Sequence, residues 1–100
     1  MTLDELNKCK DDHPALLVDF YADWCEPCKM LDGILVDVAQ NLTGKIHILK
    51  VDIDSSAELK NEFDIKSIPT LMLFKNGELT WRMAGFLMAN DLTRKIEEFL

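Results

Sequence analysis

Two cysteines three positions apart, Cys25 and Cys28, stand where an apolar strand-like run gives way to a helical one. Before them lies Leu16-Leu17-Val18-Asp19-Phe20-Tyr21, too uniformly apolar for a half-exposed strand and suited to one covered on both faces. After them, Met30 to Ala39 has the apolar spacing of an amphipathic helix. A cysteine at the mouth of a helix sits among unpaired backbone N–H groups and the positive end of the helix dipole. Both favour thiolate over thiol. Cys25 is therefore read as a nucleophile, and Cys28, one turn on, as the thiol that resolves its mixed disulfides. Pro27 between them fixes φ and removes a donor where the helix does not need one.

The remaining chain predicts a layered α/β domain spanning residues 1–100. Thr2-Leu3-Asp4-Glu5 has capping-box spacing and starts a short helix over 2–10, ended by Asp11-Asp12-His13-Pro14. The central strand covers 15–21 and the active helix about 25–41, closing near Gly44. A second strand follows over 45–53, and Ser55 or Ser56 is placed to cap a helix over 57–63. Leu71 to Lys75 reads as a strand, Asn76-Gly77 as a two-residue hairpin turn, and Glu78 to Met83 as the returning strand. A last helix begins at Asn90 or Asp91. Strand–helix–strand–helix, then a hairpin and a helix, implies a mixed sheet with helices on both faces.

Charge and cysteine usage exclude several functions. A formal net charge of −7 argues against nucleic acid or an anionic membrane surface as partner. The acidic N-terminus has the wrong sign for a secretory signal, and no apolar stretch is long enough to span a bilayer. Three cysteines, two of them tightly paired, fit one working dithiol in a reducing compartment, and a cytoplasmic location is expected. Zinc at Cys25 and Cys28 needs two further ligands. The only histidines, His13 and His47, stand in a turn and in a different strand without partner spacing, so no metal is expected. Cys9 shares a stripe with Leu3 and Leu6 and reads as a buried, inert thiol.

Val18-Asp19-Phe20, Trp24-Cys25, Pro27-Cys28-Lys29, Lys50, Ile68-Pro69-Thr70, Phe74-Lys75-Asn76-Gly77 and Gly85 together resemble the thioredoxin family. The likeness runs from Leu16 to Leu100. Thioredoxins are a standard instance of a helix-start dithiol, so the rule on thiolate stabilisation partly derives from them. The resemblance implies a thioredoxin fold with about four strands, the family's first strand being missing or very short. It implies a protein-disulfide reductase that binds no cofactor and works through a Cys25–Cys28 disulfide. Asp19 is then a buried carboxylate that moves the Cys28 proton, with Lys50 nearby. Ile68 and a cis Pro69 face the dithiol, the Ile68 backbone pairing with an extended client. Trp24 and Gly85 form walls of the client groove, which Glu26 and Pro27 border, and Lys29 supports the thiolate. Clients are disulfide-containing proteins, and an NADPH-dependent flavin thioredoxin reductase recharges a monomer.

Glu26 departs from the family, which has glycine there. A carboxylate beside the thiolate disfavours a second negative charge, and is expected to raise the Cys25 pKa and make the dithiol more reducing. Two alternatives fit the same residues: an oxidase or isomerase on the same fold, and a binding subunit that uses the groove around Trp24, Ile68 and Gly85 without chemistry. Proline at 27 argues against the oxidase. Relatives of that kind carry histidine at the position.

Overall fold

The computed structural model describes all residues, 1–100. Its elements run α1 (Leu3–Asp12), β1 (Ala15–Tyr21), α2 (Glu26–Asn41), β2 (His47–Asp52), α3 (Ala57–Glu62), β3 (Thr70–Lys75), β4 (Glu78–Ala84) and α4 (Ala89–Glu97). The four strands form one sheet in the order β2-β1-β3-β4. β1 and β2 are parallel and the other two pairs antiparallel. This is the mixed sheet the sequence implies, and β2 stands at its edge. Charged or polar side chains at Lys45, His47 and Lys50 blunt that edge against pairing with another chain.

Alternation along β1 sorts its side chains between two cores. Leu16, Val18 and Phe20 pack with Leu6 of α1, Leu59 of α3 and Ile65. Leu17 packs on the opposite face with Leu31, Leu35 and Val38 of α2 and with Leu92 and Ile96 of α4. Every β1 side chain from Ala15 to Phe20 is buried, as a central strand covered from both sides requires. Burial of each such Leu or Phe contributes about 1.5–3 kcal/mol.

Local chemistry explains most element ends. The Thr2 hydroxyl accepts from the Glu5 amide while Glu5 Oε1 accepts from the Thr2 amide, completing the capping box. α1 nevertheless runs two residues past the expected end, to Asp12, because the His13 N–H still reaches the Cys9 carbonyl at 3.1 Å. Asn76 and Gly77 have φ of +51° and +85°, the paired positive values a two-residue hairpin turn demands. A bulge at Leu73/Phe74 leaves Thr80 unpaired, and its hydroxyl donates to the Leu73 carbonyl. α4 starts at Ala89, with no side-chain cap, ahead of the Asn90 or Asp91 start expected. Ser56 precedes α3 but makes no cap either. Its Oγ accepts instead from the Met1 ammonium at 2.9 Å.

Candidate active site

The β1–α2 junction builds the site. After Tyr21 the chain turns through Ala22, and the Cys25 N–H donates to the Ala22 carbonyl at 3.1 Å. Cys25 is the N-cap of α2, with extended backbone (φ −91°, ψ 110°) that holds its side chain over the first turn. Its Sγ accepts from the Cys28 amide at 3.2 Å, one of the otherwise orphaned donors of the helix start. Pro27 occupies the first turn, where no donor is lost. Cys25 and Cys28 are joined as a disulfide with Cα atoms 5.3 Å apart. Both are buried, Cys25 with 5% exposure and Cys28 with 2%.

The opposing wall comes from the loop before β3. The Ile68–Pro69 peptide bond is cis, and the Ile68 carbonyl lies 3.8 Å from Cys25 Sγ. The Gly85 amide donates to the Pro69 carbonyl at 2.7 Å with a backbone φ of +96°, a conformation glycine adopts freely. Cys25, Ile68, Pro69 and Gly85 thus converge on one place from three parts of the chain. Trp24 is 67% exposed, and its ring is fixed by an indole hydrogen bond to Asp54 Oδ2 at 2.9 Å. A groove of about 400 Å³ runs from Trp24 and Asp54 past Ile53, Ile65 and Ser67 to Ile68.

Asp19 projects from β1 on the face that α2 covers, between its strand neighbours Lys50 and Leu71. It is wholly buried, and neither carboxylate oxygen has a protein partner. Burial raises its pKa to about 7, with Asp32 adding to the rise and the charge of Lys50 opposing it. Lys50 shares its register, but the Lys50 ammonium is bound elsewhere. It makes a 2.6 Å ion pair with Asp32 and lies over the Tyr21 ring at 4.3 Å. Lys50 therefore acts on Asp19 through space, with no hydrogen bond between them. Glu26 is exposed and forms a surface ion pair with Lys29 at 3.2 Å.

Sequence reasoning missed Asp54 and Asp32, the partners of Trp24 and Lys50. They lie 30 and 18 residues away in the chain, and nothing local marks them. It did not place the two histidines together either. His13 and His47 stack face to face with ring centroids 3.8 Å apart, and Cys9, half-buried, lies beside them.

A disulfide across the first turn of a helix, below a cis-proline loop and on a mixed sheet of this order, defines a thiol–disulfide oxidoreductase of the thioredoxin fold. The family model for thioredoxin matches residues 4–98, so the chain belongs to the thioredoxin family. A thioredoxin from Rickettsia felis is 47% identical over 77 residues, covering 77% of this chain and 73% of its own length. One from Staphylococcus saprophyticus is 43% identical, covering 84% and 81%. Among solved structures, a thioredoxin variant from Halobacterium salinarum superposes with a TM-score of 0.89 at 31% identity, covering 99% of this chain and 86% of that one. Oxidised mitochondrial thioredoxin 3 of Saccharomyces cerevisiae gives 0.87 at 30%, covering 97% and 90%. The protein is a disulfide reductase whose redox group is the Cys25–Cys28 pair. Its partners are of two kinds, disulfide-bearing clients and a thioredoxin reductase. No helix is long and apolar enough to cross a membrane.

Proposed function

We propose that residues 1–100 act as one domain, a cytoplasmic monomer that reduces client proteins through the following division of labour. The Cys25 thiolate attacks a client disulfide, forming a Cys25–client bond and expelling the other client sulfur as a thiolate. Cys28 passes its proton to the Asp19 carboxylate and attacks Cys25 Sγ. The Cys25–Cys28 bond forms, the Cys25–client bond breaks, and the second client sulfur departs. Two electrons and, after proton uptake, two protons have moved to the client. Trp24, Glu26, Pro27, Ile68, Pro69 and Gly85 hold the client strand, with Lys29 and Lys50 in support. An NADPH-dependent flavin reductase restores the dithiol.

The observation that supports this reading best is the Cys25 sulfur, bonded by a helix-start amide and set 3.8 Å from the Ile68 carbonyl, which borders the groove. Asp19 supports the proton step: a buried carboxyl whose pKa lies near 7 exchanges protons at neutral pH without a large driving force either way. Insulin reduction, with NADPH and a thioredoxin reductase supplying electrons, tests the whole scheme. Wild type should turn over, Cys25→Ser should be inert, and Cys28→Ser should accumulate a mixed disulfide with its client. Turnover by Cys25→Ser, or a Cys28→Ser variant that traps nothing, would overturn the assignment of roles.

A further inference from the structure

At the other end of β1 from the dithiol, three side chains with metal-binding atoms meet. Cys9 and His13 lie one turn apart at the end of α1, the i, i+4 spacing that puts two side chains on one helix face. His47 opens β2, opposite Leu16 at the start of β1. Cys9 Sγ and one ring nitrogen from each histidine all lie within 4.8 Å of one another. β1 has seven residues, so about 20 Å of strand separates this cluster from Cys25 and Cys28.

We propose that Cys9, His13 and His47 form a binding site for a zinc-class divalent cation, separate from the redox centre. A thiolate with two imidazoles is a borderline-soft donor set, which suits Zn²⁺ and disfavours Mg²⁺ and Ca²⁺. Tetrahedral coordination at ordinary zinc bond lengths brings neighbouring ligand atoms to about 3.3–3.6 Å, so the three donors must close by roughly 1 Å. The two ends of the cluster differ in freedom. Cys9 and His13 are half-buried, and the His13 amide is tied to the Cys9 carbonyl at 3.1 Å. His47 is exposed. Rings stacked 4° from parallel cannot both aim an in-plane nitrogen at one ion, so loading swings the exposed His47 ring until its nitrogen converges on the ion.

The fourth position is left to water. A surface pocket of about 400 Å³ lined by His13, Pro14, Gly44, Lys45 and His47 adjoins the imidazoles. Lys45 and Lys75 border that pocket and oppose a cation, while Asp12 places a negative charge near Cys9. Affinity must therefore come from the ligand bonds rather than from the surrounding field. On binding, the cation replaces the Cys9 thiol proton, which leaves to solvent, and no electrons are exchanged. The result is a clasp between α1 and the open edge of the sheet, with Cys9 withdrawn from oxidants.

The test uses the full chain in its oxidised form, in which the disulfide keeps Cys25 and Cys28 from acting as ligands. Titration with Zn²⁺ against a chromophoric chelator should show one equivalent bound. Co²⁺ should give tetrahedral d–d absorption with a thiolate-to-cobalt charge-transfer band. Cys9→Ser should lose that band, and both Cys9→Ser and His47→Gln should weaken Zn²⁺ binding by more than about tenfold, with insulin reduction unchanged. Should Cys9→Ser misfold by circular dichroism, the exposed His47→Gln decides alone. Failure to bind one equivalent, absence of the charge-transfer band in the parent, or equal affinity in parent and folded variants overturns the site.

Discussion

Asp19 is a carboxyl held out of water with no hydrogen-bond donor from the protein, and its energetic consequence depends on pH. Its pKa rises from 3.8 toward about 7 on folding. Between those values the native state holds a proton that the unfolded chain has released, so stability falls as pH climbs through the window. Below it the residue is neutral in both states and adds no penalty; above it the whole span is lost, on the order of 4 kcal/mol. Urea unfolding of Asp19→Asn should therefore show a flatter pH dependence. The variant should be more stable than the parent by about 2–4 kcal/mol at pH 8 and close to it at pH 4. Equal slopes for the two proteins from pH 4 to pH 8 would show that Asp19 does not titrate in that range. Under the proposed mechanism, a buried charge that weakens the fold is tolerated because the same desolvation brings a proton acceptor to neutral pH.

Among the elements, the strands and the hairpin follow closely from sequence because their determinants are local. The Asn76-Gly77 turn works through backbone conformation, and a pair of glycines isolates that effect. A Cβ added at Gly77 or at Gly33 meets no atom within 4 Å. Space being equal, the sign of each substitution is set by φ and ψ alone. Gly33 is exposed inside α2, so Gly33→Ala should stabilise by about 0.5–1 kcal/mol through helix propensity. Gly77 has a φ of +85°, so Gly77→Ala should destabilise by about 1–2 kcal/mol, a fall of roughly 4–16 °C in Tm. Thermal melts in which both changes act in the same direction would refute the backbone explanation. Helix ends were less legible: Ser56 looks like a cap for α3, but its hydroxyl is taken by the Met1 ammonium 55 residues away.

For the whole molecule, a net charge of −7 outlasts the mixed charges at the groove rim, where Glu26 and Asp54 are interspersed with Lys29, Lys60 and Lys66. Long-range attraction should therefore favour basic clients. At about 0.01 M ionic strength, a disulfide peptide flanked by lysines should react about tenfold or more faster than its glutamate-flanked counterpart. The ratio should contract toward one near 1 M salt, where the screening length is about 3 Å. A ratio indifferent to salt would mean that contacts within the groove, not net charge, choose the client. The same scale holds the two sites apart: β1 carries the redox centre at its C-terminal end and the Cys9–His13–His47 cluster at its N-terminal end.

The amino-acid sequence alone determined the cysteine pair, the helix it opens, the central strand beneath it and the burial of Asp19. Each rests on spacing within a few residues: a dithiol one turn apart, a period of 3.6, an unbroken apolar run, an Asn-Gly turn. Only the tertiary structure decided that Lys50 pairs with Asp32, that Asp54 holds Trp24, and that the distant His47 joins Cys9 and His13 in one corner. Those contacts join residues 18 to 38 positions apart, and which of many exposed or half-buried groups meet depends on how the layers stack. No local period encodes that stacking, because it is settled by the packing of all the elements at once.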